Sequence, residues 1–447
     1  MSKDIKIKKG LDLKLKGECQ NTLTQIERSK TFAVRPSDFH GVIPKLVVRQ
    51  GDKVKAGAPL FYSKNDSRIQ FVSPVSGEIK EIRRGEKRVI LEVLIQADSQ
   101  DEFVNHGSQN VDQLSSDQLK SFLLGSGCWP FVKQRPYDVI ANPDDKPKAI
   151  FVSGINSEPL ATDLNFTLSE CKQALGLGFK ALSKLSTNVH LTVDSNSNWS
   201  ENFEGVKVHR AQGKHPVGLV STQIAKIDPI NKGEKVWVVQ IEDVALIGQA
   251  LKEGCLKQDR LIGLAGTGFV SNHYVKVRMG AQVSDLIKGN LKQGDFRIIS
   301  GDVLTGDKVK ESGFLGFYHK QLTVIPEGDD YDFFGWNRPR PKKFSFYRAA
   351  MFSFLTPNKK YDLNTNTNGE HRGFVMTGDY EKVFPLDIFP VQLLKSILVK
   401  DIDQMEALGI YEVAPEDFAL TEFICVSKQD HQHIVRQGLD LMIKEVG

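Results

Sequence analysis

Short runs of β-forming residues, each closed by a glycine or a proline, occupy the chain from Thr31 to about Ala97. The clearest part reads GDKVKAGAPLFYSKNDSRIQFVSPVSGEIKEI, from Gly51 to Ile82. Short runs with a turn signal after each of them are typical of a small barrel or sandwich. This segment therefore predicts a compact β module within the first 110 residues.

The Gly51–Ile82 stretch resembles the biotinyl and lipoyl carrier domains. In those domains the modified lysine lies at a hairpin tip, a few residues before the proline that corresponds to Pro74. This chain has Asp66 at that position, and Lys64 is two residues away. A carboxylate cannot form the amide bond to biotin or lipoate. We therefore expect a barrel-sandwich module that serves packing or docking and carries no swinging arm.

Length and charge restrict the class of protein. The chain has 447 residues, enough for about three or four domains of ~100–150 residues. With 59 basic and 55 acidic residues the net charge is only +4, which does not indicate a nucleic-acid partner. No apolar run approaches the ~20 residues that cross a bilayer, and the start lacks the apolar core of a signal peptide. We expect a cytoplasmic chain.

The cysteines and histidines do not predict a metal centre. Five cysteines occur singly and no CxxC is present, so reduced thiols are expected and an iron–sulfur cluster or zinc knuckle is not. The run DHQH, Asp430–His433, contains two histidines two residues apart. On a helix such residues diverge by about 200°, which favours a solvated helix surface. No metal is expected on this chain.

A helix and a crossover unit predict an α/β domain. The stretch after Leu114 begins with a capping box, Ser115 with Gln118, and Gly125 is a plausible stop. Farther on, a buried-type strand at 148–154 is followed by a helical pattern at 167–186 and a second strand at 188–193. A second capping box, Thr167 with Glu170, predicts the start of that helix. Strand, helix and strand over this length indicate a parallel, Rossmann-like sheet.

The run GSGCWPFVKQRP, from Gly125 to Pro136, resembles a loop of the flavin-binding subunit of respiratory complex I and of its relative in the Rnf complexes. There a GxGGAxFP loop and an EP…D loop together hold FMN and NADH. Glycine suits such a loop because a side chain would block the approach of a phosphate to the backbone amides. In this chain Cys128 and Trp129 occupy positions that should be small or Phe.

The second loop retains Glu158 and Asp163 as candidates for a flavin or NADH pocket. The alternative is structural: the glycines end a helix, and Thr162 or Asp163 starts the next one. Because the glycine pattern is eroded, the structural interpretation is favoured. No GxGxxG follows a strand, and GLAGTGF at 263–269 lies between β runs, where a turn is expected.

Taken in order, the units match one family over essentially the whole chain. The chain is similar to the A subunit of the sodium-translocating NADH:quinone oxidoreductase (Na⁺-NQR). The similarity covers the carrier-like module, the SEP loop and a β-grasp-like segment. It also covers four longer sequence runs: GKHPVGLVSTQIAKIDPI, FGWNRPRPKKFSFYR, GDYEKVFPLDIFPVQLLKSILVKDID and EDFALTEFICVSK. We therefore predict an α+β multidomain protein. Its parts are a lipoyl-like barrel-sandwich module (1–110), a Rossmann-like domain (111–255), a β-grasp (SLBB-like) domain (256–330), and a linker with a helical C-terminal domain (331–447).

The resemblance implies a peripheral subunit on the cytoplasmic face of the inner membrane, docked on other subunits of the complex, especially the membrane flavoprotein subunit. The complex would pass electrons from NADH to ubiquinone or another quinone and export Na⁺. Flavins and the iron–sulfur centre would belong to other subunits, so the isolated chain would not be catalytic. The Rnf relative's CxxCxxCxxxCP motifs are absent.

Two questions stay open from the sequence. The resemblance leaves open whether the chain contributes to the quinone site; such a site needs an apolar cleft with one or two hydrogen-bond donors, and His215, Trp336 and Tyr347 are candidates. The alternative function is a free-standing flavin-binding oxidoreductase that uses the Gly125–Phe131 loop.

Overall fold

The computed structural model describes residues 2–197, 199, 202–328, 334, 343–348 and 353–447. The strands are β1 (Asp4–Ile7), β2 (Leu23–Thr24), β3 (Thr31–Val34), β4 (Pro44–Leu46), β5 (Lys53–Val54), β6 (Pro59–Ser63), β7 (Gln70–Val72), β8 (Gly77–Arg84), β9 (Ile90–Ala97), β10 (Lys133–Arg135), β11 (Val139–Ile140), β12 (Ile150–Gly154), β13 (Val189–Asp194), β14 (Val206–Gly213), β15 (Val236–Gln240), β16 (Asp259–Ala265), β17 (Tyr274–Arg278), β18 (Phe296–Ser300), β19 (Asp307–Val309) and β20 (Gln321–Pro326). The helices are α1 (Ser116–Gly125), α2 (Leu164–Thr167), α3 (Lys172–Leu185), α4 (Val220–Ile227), α5 (Ile241–Glu253), α6 (Val283–Ile287), α7 (Tyr380–Val383), α8 (Pro390–Leu398), α9 (Ile402–Ala407), α10 (Ala419–Ile424) and α11 (His431–Glu445).

The predicted barrel-sandwich module is confirmed. A four-stranded sheet in the order β3-β9-β8-β5 and a three-stranded sheet in the order β4-β6-β7 make up the module. Its core includes the stacked rings of Phe61 and Phe71, whose centroids are 4.7 Å apart. At the β6–β7 tip, Arg68 pairs with Asp66 and with Asp144 of the α/β unit, each at 2.7 Å. This hairpin tip therefore contacts the neighbouring unit.

The α/β unit is a seven-stranded sheet in the order β1-β14-β13-β12-β15-β10-β11. The first five of these strands are mutually parallel, and β10 and β11 are antiparallel additions. The chain passes from β12 through α3 to β13, which confirms the predicted crossover. Strands β13 and β14 lie on one side of β12 and β15 lies on the other, so the strand order reverses between β12 and β15.

Two glycines allow α3 and α5 to pack closely over one face of this sheet. A Cβ atom on Gly248 would lie 1.8 Å from the Ala174 carbonyl oxygen, and one on Gly178 would lie 2.1 Å from that of Val244. Helix α4 covers the opposite face, where Ile224 belongs to one apolar cluster with Phe151 of β12 and with Ile5 and Ile7 of β1. The sheet is therefore covered by helices on both faces, as parallel sheets usually are.

One helix start was predicted correctly and another was not. Ser115 and Gln118 form the expected capping box, and α1 ends at Gly125. The second proposed box is wrong, because Asp163 caps the four-residue α2 by accepting a hydrogen bond from the Asn165 amide. Thr167 is therefore the last residue of α2, and α3 begins only at Lys172.

The β-grasp-like part is a six-stranded sheet in the order β19-β18-β20-β16-β17-β2. Its edge strand β2 comes from the N-terminal region, just as β1 is the edge of the α/β sheet. The first three residues of the GLAGTGF segment end β16, and the turn follows from Gly266, which has a φ of +107°. The domain ranges given above stay predictions.

The C-terminal part is helical, as predicted. Helices α7 to α11 surround their own apolar cluster, which includes Phe384, Leu393, Leu394, Met405, Phe418, Val435 and Leu439. The Arg135–Glu416 ion pair at 2.8 Å joins this bundle to the α/β unit, and Arg436 donates to the Tyr137 carbonyl at 2.8 Å. Within the described residues, every helix is too short or too polar to cross a bilayer.

Candidate functional site

A cavity of about 330 Å³ lies where three parts of the molecule meet, and we call it the junction cavity. Its floor includes Ser153 and Gln240 at the carboxyl ends of β12 and β15. In open α/β sheets this edge, where strand order reverses, is the usual ligand site. The β-grasp part contributes residues 301–302, 304–305 and 318–321, and the helical bundle contributes Glu416.

Charged and apolar side chains both line the junction cavity. The cations are Lys133, Arg135 and Lys320, and the carboxyl groups are those of Asp138, Glu158, Asp243, Asp302 and Glu416. The apolar walls are Phe131, Ile155, Leu219, Val220, Val238, Val239 and Leu304. A ligand here would meet apolar surfaces and fixed charges, an arrangement typical of small-molecule sites.

Glu158 is half-buried at the cavity edge. Its Oε2 accepts a hydrogen bond from the Ser157 amide at 2.9 Å. Burial raises the pKa of the Glu158 carboxyl to about 7, against the opposing effect of the nearby Lys320 ammonium. Burial alone would lower the pKa of Lys320, but Glu242, which pairs with it at 3.0 Å, and Glu158 raise it. Glu158 therefore changes charge near neutral pH while Lys320 stays cationic.

His215 lines the same cavity and is only 4% exposed. Its Nδ1 lies 3.0 Å from the Ser157 hydroxyl oxygen, and its backbone N–H donates to Asp12 at 2.9 Å. Burial lowers the pKa of His215 to about 4, although the carboxylates of Asp302 and Asp12 act in the other direction. His215 is therefore a neutral imidazole at neutral pH.

Two further buried charges, Asp243 and Arg135, belong to the cavity lining. Asp243 is fully buried and pairs with Arg260. Burial raises the pKa of Asp243 to about 6, and Arg260 limits the rise. Arg135 holds Glu416 at 2.8 Å, and its Nη1 has no hydrogen-bond partner within the described residues. Such unmatched buried groups are uncommon in a structural core and occur at functional sites.

The glycine loop Gly125–Phe131 is filled by its own side chains. Cys128 and Trp129 are fully buried, and the Trp129 indole donates to the Ala141 carbonyl at 2.8 Å. Gly127 has a φ of +77°, and a Cβ there would lie 2.6 Å from the methyl groups of Val72. The loop therefore packs against the barrel-sandwich module, and only Phe131 of the loop reaches the junction cavity.

Two of the other predicted site residues, Asp163 and Tyr347, lie away from this cavity. Asp163 caps α2 and does not line the cavity. Tyr347 is 62% exposed, and its hydroxyl donates to Asp379 in the C-terminal part. Trp336 lies outside the described residues. Where the structure is described, no group of three or more His, Cys, Asp or Glu side chains could hold a metal ion.

Sequence reasoning placed two of five candidates at the cavity, Glu158 and His215, and missed the cations and several acids. Lys133 and Arg135 lie within the run Gly125–Pro136, just after its glycine loop, which is a signal that could have drawn attention to them. Lys320 and Glu416 come from distant parts of the chain. No local sequence pattern indicates that tertiary packing brings these two residues together.

Family models match three segments of the chain. They are described as the NqrA N-terminal barrel-sandwich hybrid domain (residues 5–98), the NqrA second alpha/beta domain (114–256) and the NQRA C-terminal domain, an SLBB model (261–311). These segments correspond to the β module, the α/β unit and part of the six-stranded sheet. Together they cover more than half of the chain.

Full-length relatives are found among characterised proteins. The A subunit of the Na⁺-translocating NADH-quinone reductase of Haemophilus influenzae (strain ATCC 51907 / DSM 11121 / KW20 / Rd) is 36% identical over 447 residues, covering 99% of this chain and 100% of the relative. The corresponding protein of Neisseria meningitidis serogroup B is 35% identical over 446 residues with the same coverage.

Among solved structures, an NAD⁺-reducing [NiFe]-hydrogenase in its H₂-reduced state is 10% identical, with a TM-score of 0.39 over 75% of this chain and 62% of that one. A likeness this low carries no argument about fold or function. The family of the chain is shown instead by its sequence identity to the two full-length relatives and by the three matched domains. The chain belongs to the NqrA family, which provides the A subunit of the Na⁺-translocating NADH-quinone reductase.

Proposed function

We propose that this chain is a peripheral subunit that docks on the membrane subunits of a Na⁺-translocating NADH-quinone reductase, at the cytoplasmic face, and carries no redox cofactor. The flavins and the iron–sulfur centre would then reside on partner subunits, including the membrane flavoprotein subunit. The observation that carries the proposal is the packing of the Gly125–Phe131 loop. Trp129 and Cys128 are fully buried, so the loop is closed by its own side chains and offers no open cradle for a phosphate.

The charge of the junction cavity argues in the same direction. A flavin phosphate carries negative charge and is normally met by backbone amides and cations. Here five carboxyl groups line the cavity against three cations. This balance disfavours the alternative of a free-standing flavin-dependent oxidoreductase.

Exposed apolar side chains after residue 343 support docking on a partner. Phe354 and Leu355, in a short helical turn, are 62% and 65% exposed, and Val375 and Met376 are exposed as well. Exposed large apolar side chains, where they form a patch, mark interaction surfaces. Basic residues lie in the same part of the chain, namely Lys343, Arg348, Lys359 and Lys360, and anionic headgroups attract such residues.

A quinone contact at the junction cavity is a second proposed role. One observation favours it: His215 and Lys320 are hydrogen-bond donors beside the apolar walls at Leu219 and Leu304. A quinone carbonyl accepts hydrogen bonds, and its ring needs apolar surface. Tyr347 is too exposed to offer such a cleft by itself.

Affinity purification from detergent-solubilised membranes tests the docking role. A tagged chain should recover membrane flavoprotein partners together with Na⁺-stimulated NADH:quinone reductase activity. The double variant Phe354→Ser, Leu355→Ser should fold normally but recover markedly less of both. Val270→Ser is the matched control, because Val270 is 65% exposed but lies in the β-grasp part. If the double variant recovers as much partner and activity as the wild type, the docking surface does not include Phe354 and Leu355. A wild-type chain that recovers no partner would refute docking.

A further inference from the structure

The backbone of His215 is fixed from the N-terminal segment. Its N–H donates to Asp12 at 2.9 Å, and its carbonyl accepts from the Leu11 amide at 2.9 Å. A Cβ on Gly10 would lie 2.2 Å from the same carbonyl oxygen, so only glycine permits this approach. The main chain at His215 is thus held on both sides, which leaves the orientation of the ring to its side-chain contacts.

The Ser157 hydroxyl provides the hydrogen bond to the ring. Its oxygen accepts from the Gly218 amide at 2.8 Å and lies 3.0 Å from His215 Nδ1. The hydroxyl proton has no other acceptor within the described residues, so donation to Nδ1 completes the hydrogen bonds of the Ser157 hydroxyl. A neutral imidazole that accepts at Nδ1 must carry its proton on Nε2.

We propose that Ser157 is a positioning residue that holds His215 as the neutral tautomer protonated on Nε2, so that this N–H faces the junction cavity and binds a carbonyl oxygen of the ligand. The ligand part of this inference rests on the proposed quinone contact. The ring lines the cavity, and its only side-chain hydrogen bond within the described residues is the one between Nδ1 and Ser157. A carbonyl-bearing ring is the class of ligand that this donor fits.

Burial keeps His215 neutral, against the effect of the charged and polar groups around it. Asp12 and Asp302 are the carboxylates that favour its charged form, and the Ser157 backbone carbonyl does so too, yet burial lowers the pKa of His215 to about 4. The imidazole therefore stays neutral at neutral pH. The neutral imidazole can orient a carbonyl group by a hydrogen bond, but it does not transfer a proton to it as an imidazolium would.

Nitrogen-15 NMR of the labelled full-length chain tests the tautomer directly, with His215→Gln used to assign the signal. We expect Nε2 of His215 to be protonated and Nδ1 to be unprotonated. In Ser157→Ala the two tautomers should mix, and Ser157→Thr should restore the wild-type pattern. Ser153→Ala is the matched control: its hydroxyl donates to the Gly218 carbonyl at 2.8 Å but has no hydrogen bond to His215. Protonation on Nδ1 in the wild type, or an unchanged pattern in Ser157→Ala, would overturn the inference.

Calorimetric titration with ubiquinone-1, the analogue with one isoprene unit, tests the ligand part. Loss of one well-placed hydrogen bond corresponds to about tenfold weaker binding, which is the change expected in Ser157→Ala and not in Ser157→Thr. Equal binding by wild type and Ser157→Ala would refute the role in binding. If the wild type does not bind ubiquinone-1, the proposed quinone contact fails, and the NMR spectra alone then decide the role of Ser157.

Discussion

The Gly125–Phe131 loop and the junction cavity begin from the same resemblance to a flavin and NADH site, but they are built in opposite ways. In the loop, Trp129 and Cys128 are fully buried and the indole N–H is paired. In the cavity, by contrast, Glu158 and His215 face open space with perturbed pKa values.

The difference between the two regions is that the loop contributes to the stability of the fold, whereas the cavity holds titratable groups. Close packing of large apolar groups stabilises a fold, so the filled loop now serves as core between the β module and the α/β sheet. Half-buried titratable groups cost stability, and they persist where function requires them. The cavity therefore keeps the titratable groups that the filled loop lacks, and substitutions should distinguish the two regions.

The largest effect is expected in the filled loop. Trp129→Ala would open a cavity beside Trp237, whose ring centroid is 5.4 Å away, and would leave the Ala141 carbonyl unpaired. We expect the free energy of unfolding to fall by about 3–5 kcal/mol, measured by urea denaturation. A loss below about 1 kcal/mol, the range of exposed positions, would mean that the loop is not core.

The next effect is expected at the turn of the same loop. Gly127→Ala places a Cβ against Val72 at a positive φ. Strain and overpacking together should cost about 2–3 kcal/mol. Gly176→Ala is the matched control, since Gly176 lies in α3 and has open space at its Cβ. Equal denaturation midpoints for the two variants would contradict the packing described here.

A substitution at the cavity should raise the free energy of unfolding, whereas the two loop substitutions lower it. Glu158 has a folded pKa of about 7, above its value in the unfolded chain. The stabilisation from its neutral form is therefore complete below pH 4.5 and is lost as the pH rises to about 7. Glu158→Gln removes that loss and should stabilise the chain at pH 8 by about 2 kcal/mol. The gain should vanish at pH 4, and a gain independent of pH would contradict the burial of this carboxyl.

The smallest effect concerns Asp163, which the sequence grouped with Glu158. Because Asp163 caps α2 and otherwise accepts from the exposed Asn21 side chain at 2.9 Å, Asp163→Ala should cost about 1 kcal/mol and leave ubiquinone-1 binding unchanged. Stability and calorimetric titration of the same variant check both halves. A loss of binding at Asp163→Ala would place this residue with the cavity after all.

The sequence predicted the parts whose signals are local. The capping box at Ser115, the β12–α3–β13 crossover and the missing carrier lysine at Asp66 can all be read within short windows. The start of α3 was misplaced because Asp163 competes earlier in the chain as a cap. The cavity could not be predicted, since Lys133, Lys320 and Glu416 meet only through tertiary packing.

The most direct test of the central claim is flavin retention. The purified chain would be incubated with FMN, desalted, and its absorbance recorded near ~450 nm, where a bound flavin absorbs. The account predicts no retained flavin, in the wild type or in a variant that opens the loop, Trp129→Ala. One FMN per wild-type chain would contradict it, because the filled loop and acidic cavity would then hold a cofactor after all.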